Sequence, residues 1–189
     1  MKWDITEHAL HSEFRAEVEK LSGQNLGDCY QCGKCSGGCP VLPELDLSPN
    51  RLLRMVQLGL EDEALRNETV WCCAACGTCD SRCPMGVEIL RIIDVLREMA
   101  KNRNVTPPAT AGRVLTFYRS FLDCVQEFGR LSEVALMGSY NMNSGRLWTN
   151  MVKAPWFFLK GKVSLSPHKI RQIDRLQRAF KRVEEIESQ

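Results

Sequence analysis

The 189-residue sequence predicts an all-α fold, with a helical domain over residues 1–104 and a helical extension over 105–189. Three observations carry that reading. Apolar residues recur at three- and four-residue spacing in the long segments, as they do along one face of a helix. The stretch between two identical cysteine clusters opens with a helix-start signal and continues at helical spacing, where small cluster proteins often place strands. A turn-rich break at Asn102–Thr110, containing Pro107-Pro108, separates the cysteine-bearing part from an apolar remainder.

Taken in order, Asp4 to Leu21 sets Ile5, Ala9, Leu10, Phe14, Val18 and Leu21 roughly on one face, which predicts a first helix. His8 and His11 lie in it and read as surface residues. The turn residues Ser22 to Gly27 lead to the first cluster, Cys29-Tyr-Gln-Cys32-Gly-Lys-Cys35-Ser-Gly-Gly-Cys39-Pro40. Ser48 and Pro49 then read as the N-cap and first position of a helix with Leu52, Leu53, Met55, Val56 and Leu60 at helical spacing, ended by Gly59. A shorter helical stretch covers Glu61 to Leu65. The second cluster is Cys73-Ala-Ala-Cys76-Gly-Thr-Cys79-Asp-Ser-Arg-Cys83-Pro84. After it, Val87 to Lys101 stacks Ile89, Ile92, Ile93, Leu96 and Met99 in one stripe, with Glu88 near the positive end of the helix dipole.

The remaining third also reads as helical. Val114, Leu115, Tyr118, Phe121, Leu122, Val125 and Phe128 form a wide apolar face up to Gly129, and Cys124 on this run reads as a small buried hydrophobe. Ser139 to Gly145 reads as a polar, turn-like interruption. Pro155 precedes the patch Trp156 to Leu159, which either caps the chain's own core or anchors a partner. Ser166-Pro167 then caps a last helix with Ile170, Ile173, Leu176, Phe180, Val183 and Ile186 on one side and a solvated row of Lys and Arg on the other.

Both clusters have the spacing C-x2-C-x2-C-x3-C-P, by which a short loop gives three thiolates to a [4Fe–4S] cube and sends the fourth elsewhere. Gly33, Gly37, Gly38 and Gly77 allow the loops to turn backbone N–H groups toward anionic sulfur. The prolines hold Cys39 and Cys83 extended and aim them out of their own loops. In two-cluster ferredoxins the fourth cysteine ligates the other cluster. Cys29, Cys32, Cys35 and Cys83 are therefore assigned to one cube, and Cys73, Cys76, Cys79 and Cys39 to the second. Eight cysteines in crowded triplets overfill a zinc site, disulfides need an oxidising compartment, and a thioredoxin-like motif needs one pair in a βαβ setting.

Hydrophobic residues at 44% and charged residues at 25% are the mix of an ordinary globular protein. The formal charge is +2; two cubes with their thiolates, each about −2, bring the holoprotein to about −2, which gives nucleic-acid binding no support. Met1 to Lys20 has no apolar h-region and no apolar run approaches a bilayer span, so with ten cysteines a reducing cytoplasm and no membrane insertion are expected. No P-loop, dinucleotide turn or nucleophile–base set is present, and no catalytic residue is assigned. Four cysteines per cube leave no iron open for substrate, so electron transfer is the expected role.

The two clusters, the Ser-Pro-x-Arg-x-x-x-Met-Val-Gln-Leu-Gly run from Ser48 to Gly59, the Trp71-Cys72-Cys73 entry and the Gly161-to-Lys169 stretch together resemble the iron–sulfur C subunit of heterodisulfide reductase. The cluster spacing alone is shared with the helical ferredoxin domains of succinate dehydrogenase and glycolate oxidase. The resemblance implies a helical ferredoxin-like domain in a relay protein of a larger complex. It would take electrons from a flavin-bearing A subunit to a B subunit whose noncubane clusters split the coenzyme M–coenzyme B disulfide, with hydrogenase or formate dehydrogenase subunits as further partners of a larger assembly. Cys72 creates a rival C-x3-C frame, but only Cys73 completes the repeated spacing. The alternatives are a free ferredoxin-like carrier, or the equivalent component of a related sulfur-metabolising complex.

Overall fold

The computed structural model describes residues 13–145 and 169–187, and every regular element among them is helical. The chain divides into two compact units, Met1–Gly112 and Arg113–Gln189.

In the first unit, helix α1 (Glu13–Ser22) buries Phe14 and Val18. Its expected beginning at Asp4, with His8 and His11, lies outside the described residues. The helix stops where Gly23 takes φ 66° and donates its N–H to the Glu19 carbonyl at 2.9 Å. Helix α2 (Pro49–Gln57) buries Leu52, Leu53 and Val56 completely. Ser48 holds its N-cap position in extended conformation, yet its hydroxyl donates to Asn50 Oδ1 at 2.8 Å and caps no N–H. Ser36 of the first cysteine loop caps instead, its Oγ accepting from Asn50 N at 3.0 Å. Gly59, at φ 70°, ends the helix, and Leu60 N returns to the Met55 carbonyl at 3.0 Å.

Helix α3 (Glu61–Arg66) is followed directly by α4 (Glu68–Cys72), a turn of helix that the sequence pattern does not announce. Its start is held by side chains: Asn67 Oδ1 accepts from Val70 N at 3.2 Å, and the Asp46 carboxylate accepts from Glu68 N at 3.0 Å and Thr69 N at 3.3 Å. Beyond the short α5 (Thr78–Ser81) comes α6 (Ile89–Asn102), the central element of the unit, packed against α1, α3, α4 and α5. Ile89, Ile92, Ile93 and Leu96 on the predicted stripe are at most 2% exposed. Burial of each such side chain stabilises by about 1.5–3 kcal/mol. Arg103, just past α6, donates to Glu17 of α1 at 2.6 Å and also to Glu61 of α3.

In α7 (Ala109–Phe128), most of which belongs to the second unit, the expected apolar face is only partly covered. The covered residues are Ala111, Ser120, Cys124 and Phe128, the last on the expected face, whereas Tyr118 and Leu122, also placed on the buried side by the periodicity, are 45% and 51% exposed. Cys124 is buried as expected, and its sulfur accepts from Ser132 N at 3.2 Å. The polar interruption expected at Ser139–Gly145 is also corrected. Helix α8 (Glu133–Asn143) runs through it and turns only at Ser144, because Asn143 Nδ2 donates to Ser120 Oγ and Ser139 Oγ, each at 3.3 Å, giving the polar residues partners without leaving the helix. In the last helix, α9 (Ile173–Glu187), Ile173, Leu176 and Phe180 are half-buried, while Val183 and Ile186 of the same stripe stay exposed. The Trp156–Leu159 patch and the Ser166-Pro167 cap lie outside the described residues.

Candidate metal centre

The two cysteine loops have the same backbone signature. In the first, Gln31 and Gly33 flank Cys32 with φ of 63° and 76°; in the second, Ala75 and Gly77 flank Cys76 with φ of 51° and 70°. Left-handed backbone at Gln31 and Ala75 is strained for residues with a Cβ and persists only where the surroundings impose it. Alternation of this kind turns successive N–H groups inward and makes a concavity for an anion. Cys32 and Cys76, at the crest of each loop, are the exposed members of their sets.

The residue after the third cysteine then docks each loop on the helix that follows it. Ser36, next to Cys35, caps α2 through Asn50 N, and Asp80, next to Cys79, caps α6 by accepting from Leu90 N at 2.9 Å. Each acceptor serves the second residue of its helix, so the sequence repeat is also a structural repeat of loop, cap and helix.

Beyond these caps the chain crosses over. Cys39 is extended, with φ −73° and ψ 116°. A Cβ added to Gly38 would lie 2.4 Å from Arg82 Cδ, so the residues preceding the two Cys-Pro pairs lie directly against each other. Past this crossing, Cys39 lines a cavity together with Cys73, Cys76 and Cys79, walled by Val41, Leu45, Leu90 and Ile93. Cys83 goes the other way. The Tyr30 hydroxyl, between Cys29 and Cys32, is raised first by its bond to Cys32 and least by the neighbouring Cys83, whose sulfur accepts from Val87 N at 3.3 Å.

The donor chemistry fits a [4Fe–4S] cube: four thiols from two loops round one space, with no lysine, arginine or carboxylate in its lining. Among the described residues no three His, Cys, Asp or Glu side chains close round a point as a single ion requires. A cube asks for a wider ring, with one thiolate at each iron corner.

The thiols differ in acidity. Backbone N–H donation from Lys34, the Tyr30 hydroxyl and the Lys34 charge pull Cys32 down, and the Thr78 hydroxyl pulls Cys76 down. Burial pushes Cys35 and Cys73 up, the latter also through the nearby Cys39. Cys79 is pushed up to about 12 by burial and by the Asp80 carboxylate beside it. Cys72 is raised by burial and by Glu68, Asp46 and Glu44, and it does not line the four-cysteine cavity.

Several supports are not legible from the sequence pattern. Gln57, on the apolar face of α2, donates through Nε2 to the Leu26 carbonyl at 2.7 Å and the Cys29 carbonyl at 2.9 Å, fixing the entry to the first loop. Its Oε1 accepts from Gln31 Nε2 at 3.3 Å, and Gln31 Nε2 also reaches Cys29 Sγ at 3.5 Å. A glutamine between Val56 and Leu58 on a core-facing helix is the available signal. Gln57→Leu leaves two backbone carbonyls without their partner. A loss of about 1–3 kcal/mol in denaturant unfolding of the holoprotein is expected. The indole N–H of Trp71 is buried and unpartnered, but Trp71 does not line the cavity.

Residues 25–87 match the family described as 4Fe-4S dicluster domain. The chain is 31% identical over 100 residues to the C subunit of the H2:CoB-CoM heterodisulfide,ferredoxin reductase of Methanothermobacter marburgensis, covering 53% of this chain and 54% of the relative. It is 39% identical over 107 residues to the iron-sulfur C subunit of the CoB–CoM heterodisulfide reductase of Methanopyrus kandleri, covering 52% and 56%. It is 41% identical over 97 residues to the iron-sulfur C subunit numbered 2 of that reductase from Methanocaldococcus jannaschii, covering 50% and 52%. The chain thus spans about half the length of the curated relatives it matches. Residues 25–87 thus match the 4Fe-4S dicluster domain family, which gives this chain two [4Fe–4S] clusters, and half of the chain is similar to the C subunit of heterodisulfide reductase.

Proposed function

We propose that this chain is the electron-relay subunit of a heterodisulfide reductase, taking electrons from a flavin-bearing partner and delivering them to a disulfide-reducing one. One cluster is held by Cys29, Cys32, Cys35 and Cys83, the other by Cys39, Cys73, Cys76 and Cys79. The observation that carries this reading is the cavity shared by Cys39 and the second loop, together with the crossing of Gly38 and Arg82. Bound in this way, the clusters supply one-electron storage, and the protein's part is to ligate, space and tune them. With every iron capped by cysteine, no position is left for a substrate sulfur to bind. No helix among the described residues is long and apolar enough to cross a membrane.

A relay of this kind reduces no disulfide by itself. Steady-state assays of the anaerobically purified chain with the coenzyme M–coenzyme B disulfide and a low-potential dye should show no turnover above a metal-free control, although the dye bleaches the clusters themselves. Disulfide turnover by the chain alone would overturn the relay role. A free ferredoxin-like carrier is the second reading. It predicts a chain that purifies without partners and serves unrelated acceptors at equal rates, whereas an integral relay copurifies with its reductase.

A further inference from the structure

We propose that the two clusters sit at different reduction potentials, with the centre on Cys73, Cys76 and Cys79 the harder to reduce, and that Asp80 against Ser36 at the matching repeat position is a main cause. This rests on the two-cluster reading of the loops but not on the exchange of Cys39 and Cys83.

The caps are equivalent in geometry and opposite in charge. Ser36 Oγ lies 3.8 Å from Cys35 Sγ and is a neutral group, its proton donated to Asn50 Oδ1 at 2.6 Å. Asp80 Oδ1 lies 3.5 Å from Cys79 Sγ, and a carboxylate offers a cluster thiolate no proton, only repulsion. An added electron makes an already anionic centre more negative, so a fixed negative charge beside it disfavours reduction, while cations and N–H or O–H donors favour it.

Of the other charged neighbours, Asp28 before Cys29 acts against this order and Arg82 lies at the crossing of the two loops; the remaining groups act with it. Around the first loop, Gln31 Nε2 lies 3.5 Å from Cys29 Sγ, Lys34 sits inside the loop, and Arg54 shares a surface recess with Cys29 and Gln31. Around the second loop, Thr78 Oγ1 lies 3.4 Å from Cys76 Sγ as the comparable donor. The cation acting on Cys73, Arg97, is paired with Asp94 at 2.7 Å, which offsets part of its field. Transfer is then downhill from the second-loop centre to the first: one electron is lost by one centre and gained by the other, with no bond broken and no proton moved. Each loop exposes its crest cysteine, so the donor would meet the protein near Cys76 and the acceptor near Cys32.

An EPR-monitored redox titration of the anaerobically purified full-length holoprotein, with iron counted in every sample, tests this. Wild-type protein should reduce in two separable waves. Asp80→Ser, which borrows the cap that α2 already uses, should raise the lower midpoint, narrow the gap and leave the upper midpoint in place. Lys34→Gln changes an exposed residue that caps no helix, and it should lower the upper midpoint alone. If fully loaded Asp80→Ser leaves the lower midpoint unmoved or shifts the upper one, or if Lys34→Gln shifts the lower one, the ordering is wrong. Wild-type protein that does not hold two cubes would instead overturn the cluster reading itself.

Discussion

Cys39→Ala is expected to strip the cluster of the other loop. Cys39 lies on the Cys73 side of the Gly38–Arg82 crossing and lines the cavity of Cys73, Cys76 and Cys79. Iron analysis should fall from about eight atoms per chain toward about four, or to a three-iron remnant on the second loop. Combined with Cys32→Ala, which targets the first cluster directly, the loss should be additive, because each substitution removes a ligand from a different cube. Cys72→Ala is the control and should keep its full iron, since Cys72 stands outside the cavity. A Cys39→Ala protein that lost only the signal of its own loop would reject the exchange.

Removing the iron should have the larger structural effect. The loops between Cys29 and Cys83 carry left-handed backbone at Gln31 and Ala75 and are docked on α2 and α6 by a few side-chain bonds, those of Ser36, Gln57 and Asp80. In the metal-free protein the cysteines are protonated thiols no longer tied together by iron, and the strained positions lose what imposes them. Chelation is expected to unfold much of residues 22–104. The far-ultraviolet helical signal should drop, and proteolysis should appear between Gly27 and Pro84 while holoprotein resists at the same protease concentration. Undiminished protection of α6 in the metal-free protein would show that the helices hold the loops and not the reverse.

The legible parts of this protein are those where one residue type has one physical use. Repeated cysteine spacing locates both loops, proline after the fourth cysteine foretells the extended Cys39, and Gly59 marks the end of α2. The apolar stripe of α6 is legible residue for residue because a helix packed against several neighbours buries its whole face. What stays hidden depends on side chains meeting across sequence. Ser48 stands before Pro49, where a cap of α2 is expected, but Ser36 takes that role from the preceding loop. The helical turn at Glu68–Cys72 is held in part by Asp46, far upstream, and no local pattern announces it. In α7 the periodicity fits a broad face with aromatics, whereas the covered stripe is the narrower one through Ser120 and Cys124.

Relay is tested most directly by reconstituting disulfide reduction from the flavin-bearing and disulfide-reducing partners with and without this chain. Turnover is expected only when the chain is present with both clusters, and it should be abolished by Cys39→Ala protein that retains the first cluster and still assembles. Equal turnover without the chain, or with the one-cluster variant in its place, would contradict a path that runs through both centres.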